Sequence, residues 1–160
     1  MIADSAGRTR HTSSTVTDTR GARDEAPSGI RMPPGPLACA SVLTVVTIAL
    51  RMRGLRFTKA LAERLIAHRA HRPAVDRATL PLVVYRVDLA AAFFPGRARC
   101  LERSIALHVC LRWCGAPTVL RLGVQPYPFS AHAWVELDGE PVGDSPDSIA
   151  LFRPLPPDNA

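Results

Sequence analysis

Three residues in the second half of the chain have the types and settings that covalent chemistry needs. Cys100 follows the Pro-Gly loop FPGRAR (94–99) and opens the run CLERSIALHVCLRWC (100–114). A helix start favours a thiolate, because its free N–H groups and the macrodipole stabilise the anion. Arg97 and Arg99, just before it, add to that field. His132 stands in an apolar, strand-like segment between Ala131 and Ala133, whose small side chains leave room for an imidazole to meet another element. Asp144 follows a Gly-containing turn, with Asp147 as the fallback carboxylate. A thiol, an imidazole and a carboxylate in this order could carry nucleophilic attack on a carbonyl, the base moving the proton and the acid holding the tautomer. Each residue alone has an ordinary reading: a free cysteine is most often buried packing, and a strand histidine a packed side chain.

The other candidates are weaker. Cys110 and Cys114 lie deep in the same run and are assigned to packing. His11 lies in a polar arm, and His68 and His71 in a basic region. His108 is eight residues past Cys100, roughly 12 Å along a helix, too far to serve as its base.

Hairpin geometry bears on the third member. A two-residue Asp138-Gly139 turn would pair Leu137 with Glu140 and set Asp144 opposite Ala133, on the wrong face for His132. A three-residue loop Leu137-Asp138-Gly139, closed by a glycine bulge, would set Asp144 directly opposite His132. Opposed Cβ atoms lie about 4.5–5.5 Å apart, within carboxylate-to-imidazole reach. The three-residue loop is the expected one.

The elements that must position these groups can be read in outline. Residues 37–50 and 55–71 read as helices, the second with Leu55, Ala62, Leu65 and Ile66 on one face. Residues 79–93 read as a short helix. The 100–114 helix is apolar over most of its circumference, hence central and buried; Gly115 caps it and Pro117 blocks its continuation. Strands follow at Thr118–Val124 and Ala131–Leu137, separated by the loop QPYPFS, and a third begins near Glu140. Helices followed by a small antiparallel sheet packed on a central helix give an α+β architecture.

The chain's 160 residues suit one domain. Residues 1–36 are poor in large apolar side chains and are expected to be disordered; Met32 is an in-frame alternative start. The folded part is expected over 37–155, with a loose Pro-rich tail, RPLPPDNA, whose last residues, 156–160, close the chain. The net charge is +6, and residues 51–77 hold the whole surplus, with eight basic residues against Glu63 and Asp76. That stretch reads as a solvated helix face or a docking face for an acidic polypeptide. No reader motif or aromatic interleaving points to nucleic acid. Four cysteines with no paired CxxC spacing argue against a zinc site or a disulfide framework, and point to reduced thiols in the cytoplasm. The 14-residue uncharged run Leu37–Leu50 is short for a membrane span and reads as a buried helix, with membrane contact as a minority reading.

Residues 96–144 resemble the lasso-peptide leader peptidases, the B-type maturation proteins with a transglutaminase-like (papain-like) fold. The matching pieces are CLERSIAL (100–107), RLGVQPYPFSAHAWVE (121–136) and DGEPVGD (138–144). The resemblance implies a Cys100–His132–Asp144 catalytic triad and no cofactor. It implies a cysteine endopeptidase that removes the leader from a ribosomally made precursor peptide. A partner cyclase resembling asparagine synthetase would then close the new N-terminus onto an acidic side chain. With no leader-binding domain of its own in residues 1–36, the chain resembles the split form that works with a separate leader-recognition protein. The rival readings are a transglutaminase-like acyl transferase, a non-catalytic scaffold of the maturation complex, and a membrane-attached adaptor.

Overall fold

The computed structural model describes residues 33–68, 77–95 and 99–156. Of the extension expected to be disordered over 1–36, residues 1–32 lie outside the described residues, as do 157–160 of the tail; residues 33–36 are described and lead directly into a helix, so that expectation does not hold as far as residue 36. Pro36 starts α1 (Pro36–Ala67), where a missing N–H costs nothing. Cys39, Val42, Leu43, Val46, Ala62 and Ile66 recur at helical spacing and form its buried face. The two helices expected on either side of residues 51–54 are both present and meet at a kink at Gly54 (φ 75°, ψ −176°), a conformation open to glycine. Arg51, Arg53 and Arg56 stay on the solvent side. By length and composition alone α1 is long and apolar enough to cross a membrane, longer than the uncharged run suggested; here a third of that apolar window is buried against the rest of the protein.

A 3-10 turn, Arg77–Thr79, leads into α2 (Leu80–Ala92), the short helix expected there, which buries Val83 and Val87. Next, α3 (Cys100–Trp113) buries ten of its 14 residues, the central position that its all-round apolarity demands. It ends in a Schellman motif: Gly115 (φ 83°) donates to the Arg112 carbonyl and Ala116 to that of Leu111.

The sheet has the order β3-β2-β1-β4, built from β1 (Thr118–Pro126), β2 (Phe129–Leu137), β3 (Glu140–Pro141) and β4 (Arg153–Pro154). A short helix, α4 (Pro146–Ile149), lies between β3 and β4. The expected QPYPFS loop is a tight turn, since Pro126 already pairs with Phe129. The tail is not loose at its start: Arg153 and Pro154 pair with Val124 and Gly123, and Leu155 donates to the Leu122 carbonyl.

The β2–β3 turn corrects a second expectation. Leu137 pairs with Glu140 and Glu136 with Pro141, so the loop is the two-residue Asp138-Gly139 turn and not the three-residue one. Both turn residues have positive φ, 54° and 86°. Asp is one of the few side chains that tolerates this, so no bulge is needed.

Positions 133, 135 and 137 of β2 pair with Leu122, Leu120 and Thr118 and turn toward the helices, where Val135, Leu137 and Leu120 join the core around α3. His132, Trp134 and Glu136 therefore occupy the other face. That face is not bare. The connection from β3 at one edge to β4 at the other must cross it, and Trp134 is only 1 % exposed.

Candidate active site

Cys100 is the first residue of α3 and is partly exposed. Its N-cap, Arg99, is extended, and no side chain caps the helix start. The first N–H groups of α3 thus remain available to an anion. Arg97 lies outside the described residues. Residues three and four positions on share the Cys100 side of the helix. Both are anchored: Ser104 Oγ donates to the Ala133 carbonyl at 2.7 Å, and Arg103 Nη2 to the Gly143 carbonyl at 2.9 Å. This side of α3 therefore abuts the edge of β2 and the segment after β3. That edge is open because β3 pairs with only the last residues of β2.

His132 Nε2 lies 3.5 Å from Asp144 Oδ1, and both side chains are mostly buried. The corrected hairpin register places position 144 off the ladder, so the contact arises differently from the expected cross-strand pair. Val142 still bonds to the Val135 carbonyl, then Gly143 (φ 80°) turns the chain and swings Asp144 round the edge. Asp147, the fallback, falls in α4 and is exposed. With Nε2 directed at the carboxylate, Nδ1 is the nitrogen left to exchange a proton with a thiol. The structure brings His132 and Asp144 together and sets Cys100 on the neighbouring helix turn; among the described residues no hydrogen bond joins the thiol to the imidazole. Catalytic hydrogen bonds are often long before substrate binds.

Aromatic rings hold the imidazole in place. Trp134 stacks beside it (centroids 6.2 Å, planes at 13°) and Phe152 packs at 5.2 Å. The Trp134 indole reaches over Gly123, the cross-strand partner of His132: a Cβ there would stand 2.8 Å from the indole. Its Nε1 donates to Glu136 Oε1, whose other oxygen takes Arg121 Nε, both at 2.9 Å. Phe129, the first residue of β2, is exposed.

Sequence reading missed Arg103, Asp88 and Phe152. Arg103 Nε donates to Asp88 Oδ1 at 2.6 Å, and its Nη1 lies 3.3 Å from Asp144 Oδ2. Burial pushes the guanidinium pKa down, but the bonds to Asp88 and the charges of Asp88 and Asp144 outweigh it and raise it. The signal was present: an arginine in a helix buried on nearly all sides must find an acid. Glu102, the acidic residue in the first turn of α3, is itself buried, and its Oε2 has no hydrogen-bond partner.

The remaining cysteines are buried and none of the four is in a disulfide. Cys39 and Cys110 face each other with sulfurs 3.9 Å apart, and that contact lowers the Cys39 pKa against the opposing effect of burial.

His108 lies two turns down α3 beside a separate cavity of about 210 Å³, lined also by Lys59, Glu63, Ile105 and Thr118. Its Nδ1 is 3.0 Å from Thr118 Oγ1. Burial, with the charge of Arg112 adding to it, pushes its pKa down to about 4. An unfolded histidine titrates near 6.5. As the pH falls below that value the unfolded chain takes the proton first. The stability His108 contributes is therefore present above about 6.5 and lost as the pH falls through about 4, roughly 3 kcal/mol in all. Urea unfolding at pH 7 and pH 4 should show His108→Gln losing about that much less than the parent; equal losses would show that another group drives acid unfolding.

A family model described as the transglutaminase-like superfamily matches residues 42–156. No curated protein and no solved structure gives a significant match. The matched span runs from α1 through β4 and takes in Cys100, His132 and Asp144, as well as the central helix and its antiparallel sheet. By fold and by sequence, the chain belongs to the transglutaminase-like superfamily.

Proposed function

We propose that this chain is a cysteine peptidase that cuts the leader from a ribosomally made precursor peptide in lasso-peptide maturation, using Cys100, His132 and Asp144. Transglutaminase-like domains are typically cysteine hydrolases or transferases, which supports a reaction of that kind. The observation that carries the reading is the approach of His132 to Asp144 beside the first turn of α3. The leader specificity rests on the sequence resemblance.

The chemistry follows from the groups. The Cys100 thiolate attacks the scissile carbonyl carbon. The oxyanion that forms meets the uncapped N–H groups of the helix start. Imidazolium His132 gives its proton to the leaving amine, which departs and leaves a thioester on Cys100. His132 then takes a proton from water as the hydroxyl adds to the thioester; the C–S bond breaks, Cys100 leaves as the thiolate beside imidazolium His132, and the leader departs with a free carboxylate. Asp144 holds the ring and offsets the charge it carries between these steps. A separate leader-recognition protein would present the precursor, and an asparagine-synthetase-like cyclase would take the released core, all in the cytoplasm.

The superfamily favours one other reading, in which the thioester passes to an amine. The two differ in product. With precursor, leader-recognition protein and millimolar methylamine present, the peptidase reading expects leader acid by mass spectrometry. Leader methylamide as the main product would make the chain an acyl transferase. Intact precursor would leave it a scaffold.

A further inference from the structure

The turn of α3 that presents Cys100 also holds the carboxylate meant for its base. Arg103 is one turn from Cys100, on the same side of the helix. Its three nitrogens reach three acceptors in different directions: Nε the Asp88 carboxylate of α2, Nη1 Asp144 Oδ2, and Nη2 the Gly143 carbonyl. Asp144 is divided between two partners, Oδ2 toward Arg103 and Oδ1 toward His132.

We propose that Arg103 is a positioning residue of the site: its fork fixes Asp144 and the backbone before it, so that the second carboxylate oxygen is aimed at His132. The inference rests on the triad reading given above. Arg103 touches no reacting atom. Its role is to give Asp144, whose side chain is 17 % exposed, a permanent counter-charge whether or not His132 carries a proton. A carboxylate so little hydrated needs such a partner. Asp88 in turn neutralises Arg103 and ties α2 to the site. Ser104, the next residue, bonds to the carbonyl beside His132. One helical turn therefore references all three members: it bears Cys100, grips the strand that carries His132, and clamps the loop that carries Asp144. Lysine would keep the charge but not the planar three-way fork.

The test needs no knowledge of the precursor. The rate of iodoacetamide labelling at Cys100, mapped by mass spectrometry at neutral pH, reports the assembled thiol–imidazole pair, with buried Cys39, Cys110 and Cys114 as internal controls. We expect Arg103→Gln to slow it roughly tenfold, a coupling of the size that residues of one network show. Asp144→Asn should do the same, and the double variant should be no slower than either alone, because both break one device. Mere loss of stability would not give that non-additivity, and melting temperatures of all variants are recorded beside it. Arg103→Lys, which keeps the charge and serves where Arg103→Gln does not fold, should also label slowly. Parent-like rates in either Arg103 variant, with His132→Ala and Asp144→Asn still slow, would overturn the proposal and leave the triad standing. A double variant slower by the product of the two single effects would overturn it too. Unchanged labelling in His132→Ala and Asp144→Asn would instead remove the triad reading, and this inference with it.

Discussion

Replacing His132 with alanine should lower precursor cleavage by about 10⁴-fold, the scale on which loss of a triad member is felt. The imidazole does two jobs in the proposed reaction, and neither has a substitute nearby. It supplies the leaving amine with a proton, without which a thioester cannot form productively, and it activates the water that clears the thioester. His108, on the central helix, is buried beside Thr118, and its lowered pKa keeps it uncharged near neutral pH. Cys100→Ala should be equally inactive, since the other three cysteines are buried. The two variants separate catalysis from binding. If His132 acts in chemistry, the loss falls on kcat, and the variant still competes with the parent for the precursor and the leader-recognition protein. A His132→Ala protein that cuts at even a tenth of the parent rate would exclude the imidazole as base. The fold should survive the change: the ring is on the sheet face away from the core, beside Trp134 and Phe152, and leaves no deep cavity there.

The sequence yielded what local physics controls. The limits of α3 follow from a Pro-Gly loop before it and Gly115 after it, and its central place from its apolar circumference. β1 and β2 follow from alternation and from the turn residues between them. Harder to read were features fixed by contacts between distant segments. Asp138 and Gly139 can form either a two-residue or a three-residue loop on propensity alone, and the choice between them flips which face of β2 each partner meets. The register reading expected the Asp144–His132 approach from a ladder pairing; the actual route is a kink at Gly143. The clamp of Arg103 on Asp88 and Asp144 joins residues 15 and 41 positions apart, and no periodicity reports such a pairing. The return of residues 153–155 to β1 was hidden by Pro154, which is tolerated because β4 is a two-residue edge strand.

Because the kink and not the ladder delivers Asp144, Gly143 should be the most sensitive position in the site that carries no functional group. Its φ of 80° lies in the left-handed region, where a Cβ costs about 1–2 kcal/mol. The space is also taken: a Cβ would stand 3.0 Å from Val84 Cγ1, 3.1 Å from Arg103 Nη2 and 3.5 Å from Leu107 Cδ2. Val84 belongs to α2 and Leu107 to buried α3, so neither can move far without disturbing the core. The cheapest relief is for residues 143 and 144 to back away from the helices. That withdraws the carbonyl held by Arg103 and takes the carboxylate from His132. A displacement of roughly 1 Å at a catalytic orienter can cost on the order of 10²-fold in rate. Gly143→Ala should therefore lose about that much cleavage while denaturant unfolding shows a stability loss of only about 1–3 kcal/mol, which leaves the chain folded. Gly139 supplies the control. Its φ is 86° but nothing lies within 4 Å of a Cβ there, so Gly139→Ala bears the backbone strain without the collision. If Gly139→Ala loses as much activity as Gly143→Ala, general loosening of the hairpin is responsible. If Gly143→Ala cleaves at the parent rate, Asp144 does not need the placement that this turn gives it, and its part in the reaction must be abandoned.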